Sequence, residues 1–129
     1  MIDQNNSASS KRSPRPVYRK EDNELLGYLL PVAQSDLWLP ATVFSYPLGK
    51  ACSERDAVSL LEDIGLGSLL DRWEFFDSDQ EDWFSCTIVE ADPDKIKITV
   101  SDFGYPDIYQ TRTITKPDHT TVRWTKCAR

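Results

Sequence analysis

The chain has 129 residues, 40% of them hydrophobic, which is enough for one buried core and too apolar for a wholly unfolded chain. Its formal net charge of −6 disfavours undirected binding to nucleic acid or anionic membranes. No apolar run approaches the roughly 18–20 residues of a spanning helix, and MIDQNNSASS lacks the apolar segment of a secretory signal.

Residues 1–16 are rich in Ser, Asn and Pro, have no hydrophobic period and carry Lys11, Arg12 and Arg15. This composition predicts a disordered, mildly basic tail, followed by a single domain over residues 17–129. Residues 17–19 and 25–30 flank a polar stretch and read as a β-hairpin. Pro31, Pro40 and Pro47 then recur, so the segments around Trp38 and Thr42 are restricted to short or edge strands.

One helix is well signalled, over about residues 54–64. Ser53 can cap it, and Glu54 and Asp56 suit its positive end. Ala57, Leu60, Leu61 and Ile64 share one face, while Gly65 is a natural stop with Leu66 placed to fold back on the last turn. Beyond it the period changes to two. Strands are predicted at residues 72–76, 83–91, 95–100, 109–116 and 121–125, with polar turns at 77–82, 92–94 and 117–119. The fold class is therefore α+β: a mainly antiparallel, strongly twisted sheet, or a partly open small barrel, with one amphipathic helix. Phe44-Ser45-Tyr46-Pro47 and Phe103-Gly104-Tyr105-Pro106 echo each other, but their surroundings do not, and the match reads as turn chemistry.

Charge is segregated along the chain. Residues 53–94 hold thirteen acids against two bases, and residues 95–129 seven bases against three acids. The densest run, DRWEFFDSDQEDWF at residues 71–84, interleaves six carboxylates with five aromatics. Such a run must sort these groups between a core side and a wet side. Its acids fail the calcium-loop pattern: Asp82 stands where glycine is needed and Ile88 where the bidentate glutamate is needed, so no metal site is expected.

The reading that follows is a small non-catalytic cytoplasmic protein acting by protein–protein contact, as a regulator, adaptor or inhibitor. Its candidate surface comprises Trp73, Asp77, Asp79, Glu81, Asp82 and Trp83, and suits a basic protein segment. An alternative places single-stranded nucleic acid on an outer face formed by Lys95, Lys97, Arg112, Lys116 and Arg123, with Lys126 and a nearby aromatic. A second alternative is a small hydrolase using carboxylates or His119, although no nucleophile is nominated. No Gly-rich phosphate loop is present, and no cofactor or membrane partner is expected. Cys52, Cys86 and Cys127 form no C-x-x-C pair, which argues against a disulfide scaffold and for a reducing cytoplasm.

Overall fold

A computed structural model describes residues 12–125. Its N-terminal part is a three-stranded antiparallel sheet, β1 (Arg15–Tyr18), β2 (Leu25–Pro31) and β3 (Trp38–Ala41), in that order. The β1–β2 hairpin is the expected one, but the described chain is engaged earlier than Val17. The Arg12 guanidinium donates to the carbonyls of Val32, Ser35 and Leu37 and lies 4.4 Å from the Trp38 ring centroid. Arg15 pairs with Glu54 at 2.5 Å. Residues expected to trail as a basic tail are thus held by carbonyls and an aromatic face, which sequence periodicity does not register. The rest of that tail, residues 1–11, lies outside the described residues.

Helix α1 (Glu54–Ile64) packs on β2 and β3. Ser53 caps it as expected, its hydroxyl oxygen accepting from the Asp56 N–H at 3.1 Å. Ala57 and Leu61 are buried beneath it. Leu61 sits over Gly27, where a side chain would meet the Ala41 carbonyl at 2.2 Å and the Leu61 methyl at 3.2 Å. Gly65 stands at the helix end as expected, and close packing requires a glycine there. Its own dihedrals are helical, and a Cβ there would meet the Leu61 and Leu26 carbonyls at 2.5 and 2.7 Å. The chain then makes a short 3₁₀ turn, Gly67–Leu70, against the second sheet.

That sheet contains β4 (Trp73–Asp77), β5 (Asp82–Ala91), β6 (Lys95–Val100), β7 (Thr111–Thr115) and β8 (Val122–Trp124), in the order β7-β6-β5-β4-β8, all neighbours antiparallel. The period-two pattern holds: Phe84 and Cys86 on β5 and Ile96, Ile98 and Val100 on β6 are buried, as are Trp73 and Phe75 on β4. A bulge between Ile88 and Glu90 leaves Val89 exposed. β7 begins at Thr111, two residues later than the sequence suggested, because Tyr109 has φ +70°, outside strand geometry.

The edge strands β7 and β8 are joined by residues 116–121 alone. That link reaches roughly 25 Å at most, whereas a flat sheet with this register would set its ends roughly 30 Å apart. The sheet therefore curls into a partly open barrel, with β7 and β8 not hydrogen-bonded to each other. Its concave side is closed by Phe44 and Tyr46, whose rings lie 5.5 and 4.9 Å from that of Trp73. The Tyr46 hydroxyl also accepts from the Trp124 N–H at 3.1 Å. No helix among the described residues is long and apolar enough to cross a membrane.

Candidate interaction surface

The strand directions bring three segments to one end of the curled sheet: the end of β4, the four-residue loop before β5, and the long connection between β6 and β7. Asp77 organises this end. One of its carboxylate oxygens accepts from the Asp79 and Gln80 N–H groups at 2.8 and 3.2 Å, shaping the loop. The other accepts from the Tyr105 hydroxyl and from Arg112, the latter at 2.9 Å. Arg112 also donates to the Tyr105 oxygen at 2.6 Å and lies 5.5 Å from the Phe75 ring centroid. The Tyr105 hydroxyl, with the loop N–H groups and Arg112, holds the Asp77 carboxyl below the usual carboxylate range against the opposing effect of burial. The same bond to Asp77 raises Tyr105.

Asp77, expected on the surface with its neighbours, is 4% exposed and fully occupied. Trp73, expected as an anchor, is buried, and its indole N–H donates to the Ser68 carbonyl at 2.9 Å. Both leave the candidate surface because Trp73, Phe75 and Asp77, two residues apart in turn, share the inward face of β4. Asp79, Glu81 and Asp82 remain exposed, and Trp83 is half-buried on the outer face. There Trp83 meets Phe76 edge-on at 5.5 Å, and Arg123 lies 4.2 Å from its ring centroid while pairing with Glu74 at 2.6 Å.

The connection between β6 and β7 supplies what sequence reasoning missed. Asp102 accepts from the Ser85 N–H at 3.0 Å and the Gly104 N–H at 2.8 Å; both bonds hold its carboxyl low, and the first ties residues 101–110 to β5. The tethered segment displays Phe103 at 86% and Tyr109 at 67% exposure. Neither it nor residues 78–82, the loop and the first residue of β5, contains a base, and together they carry Asp79, Glu81, Asp82, Asp102 and Asp107. Phe103 repeats Phe44 of the F-x-Y-P echo only in part: Tyr46 and Tyr105 both pack on core rings, but Phe44 is buried. Nothing in the local sequence distinguishes the two phenylalanines.

The bases of the nucleic-acid alternative do not form one free row. Arg112 is committed to Asp77, Arg123 to Glu74, and Lys97 lies 3.7 Å from Glu90. Lys95 and Lys116 are exposed at the opposite end of the sheet, and Lys126 lies outside the described residues. His119 is exposed in a turn closed by Asp118, and no hydrogen bond joins it to a hydroxyl or thiol among the described residues. Cys86 is buried, which pushes its thiol up to about 12 and leaves it unreactive at neutral pH. Comparison of the chain with protein-family models, curated proteins and solved structures gives no match.

Proposed function

We propose that this protein acts by non-catalytic contact, as a regulator, adaptor or inhibitor, and that the acidic end of the curled sheet receives a basic protein segment. The observation that carries the reading is the pairing of two cross-tied, base-free acidic loops with Phe103 and Tyr109, aromatic side chains held outward on an ordered segment. A bulky residue in the left-handed region, as Tyr109 is, costs about 1–2 kcal/mol, and strain of this kind clusters at functional sites. Exposed aromatics with an acidic rim suit a partner carrying Arg or Lys, through ring contacts at the centre and charge steering around it. The stacking of Arg123 on Trp83 is a local instance of how a guanidinium is received beside a carboxylate. A cytoplasmic setting fits the free thiols of Cys52 and Cys86.

The test is affinity capture from the native cell, with an arginine-rich peptide titrated in parallel by tryptophan fluorescence. Reversal of Asp79, Glu81 and Asp82 to Lys, and separately Phe103→Ala, should each abolish capture while the thermal unfolding midpoint stays within a few degrees. Peptide binding should weaken steeply with salt. Undiminished capture by both variants would remove the reading.

A further inference from the structure

Among the described residues four strands stand at sheet edges, and three of them are blunted. β1 carries Pro16 and a register shift between Val17 and Tyr18. β3 carries Pro40, and its outer side is covered by bridges from Trp38 to Cys52 and from Ala41 to Pro47. On β8 the outward N–H groups are already used, Val122 donating to the Asp118 carbonyl at 3.0 Å and Trp124 to the Tyr46 hydroxyl. These are the devices by which natural sheets prevent edge pairing.

β7 has none of them. Its sequence, TRTIT, contains no proline, and it pairs with β6 in unbroken register. The Lys116 N–H bond to the Asp94 carbonyl and the Val100 N–H bond to the Gln110 carbonyl fix the parity of that ladder. Arg112 and Ile114 consequently turn their backbone groups toward β6, and Thr111, Thr113 and Thr115 turn theirs away. No hydrogen bond among the described residues engages the outward groups.

We infer that β7 is a self-association strand, two copies of the chain pairing β7 to β7 antiparallel about Thr113 and joining their five-stranded sheets. In that register Thr113 faces its own copy, Thr111 faces Thr115, and Arg112 faces Ile114, so β-forming threonines meet and no like charges oppose each other. The outward N–H and C=O groups then exchange about six backbone hydrogen bonds. Charge selects a second copy as the occupant. Lys95 and Lys116 lie at one end of β7, and the base-free segment with Asp102 and Asp107 leads into the other. Antiparallel pairing sets the basic end of each copy beside the acidic end of the other. The chain's segregation of charge thus becomes self-complementary.

A five-residue edge is a small interface, so the expected dissociation constant is on the order of 10–100 µM. Sedimentation equilibrium of the full chain at rising concentration should show a monomer–dimer equilibrium that weakens with salt. Thr113→Lys sets like charges face to face and should weaken the dimer by about tenfold or more. Thr113→Pro removes only an outward N–H and should do the same, with β6–β7 amide protection against hydrogen exchange retained. Under mild oxidation Thr113→Cys should cross-link to its copy, whereas Thr111→Cys should not, relative to the unsubstituted chain. A wild-type chain that stays monomeric at millimolar concentration overturns the inference. So does a dimer indifferent to Thr113→Lys, or one cross-linked equally through Thr111→Cys. Pairing of β7 with a different protein's strand while the chain alone remains monomeric also overturns it.

Discussion

At the end of β4, Asp77 accepts hydrogen bonds from the N–H groups two and three residues on, and just after β5, Asp92 does the same, its oxygen 2.9 and 3.0 Å from the N–H groups of Asp94 and Lys95. Both turns are acidic and both connect neighbouring antiparallel strands. They diverge at the second carboxylate oxygen. Asp77 faces inward, where Tyr105 and Arg112 close the end of the curled sheet, while Asp92 is exposed. Turn chemistry decides that an aspartate stands at each place. Strand parity and the arrival of a distant loop decide whether it becomes a structural keystone or a solvated corner.

The comparison is most directly broken at Asp77. Asp77→Ala should destabilise the fold by about 2–4 kcal/mol, since it removes the turn cap and leaves Tyr105 and Arg112 without their acceptor. The lower part of that range is expected because the Arg112 side chain is 39% exposed and water replaces part of the loss. Urea unfolding measures it, and a cost no larger than that of Asp92→Ala would erase the distinction. The reversal of all four acids Asp77, Asp79, Glu81 and Asp82 should unfold the protein for this reason.

The same carboxylate gives a pH signature. Its folded-state pKa is depressed, so its contribution is present above the unfolded-state value of about 4 and is lost as pH falls through the lower folded value. Asp102, depressed by the Ser85 and Gly104 N–H groups, acts in the same direction. Unfolding midpoints measured between about pH 2 and 5 should fall toward acid in the wild type. They should fall less steeply in Asp77→Asn, which has no such proton to take up. Parallel slopes would assign the acid sensitivity elsewhere.

Smaller effects sharpen the contrast. Tyr105→Phe should cost about 1–1.5 kcal/mol, since Arg112 still satisfies Asp77. Asp92→Ala should cost about 0.5–1 kcal/mol as a lost turn cap with both N–H groups open to water. Reversal of Asp79, Glu81 and Asp82 should change stability by less than about 0.5 kcal/mol, and is therefore the clean probe of partner binding.

The segments governed by local chemistry were legible in the residues themselves. Ser53 and the spacing of Ala57, Leu60, Leu61 and Ile64 define α1, and the alternation of Ile96, Ile98 and Val100 defines β6 and its inward face. Asp77, Asp92 and Asp118 mark their turns because an aspartate side chain satisfies the N–H groups just beyond it. Other features were not legible. Trp73 and Phe76 are both aromatic on one strand, and only the side on which the rest of the sheet and Phe44 arrive makes the first core and the second surface. Arg112 looked like part of a basic face and instead pairs with Asp77, 35 residues earlier. Arg12 and Arg15 lie in a stretch whose composition is that of a tail, yet Trp38 receives both and the carbonyls of residues 32–37 receive Arg12.

By itself, then, the sequence determined the helix, the order and approximate places of the strands, and the division of acid and base along the chain. Periodicity, capping and turn propensity are local and leave a local trace. The tertiary structure alone decided which acids are neutralised, which aromatics are displayed, and which strand edge is left open. Those outcomes depend on the curl of the sheet and on contacts between residues far apart in the chain, and no local pattern encodes them.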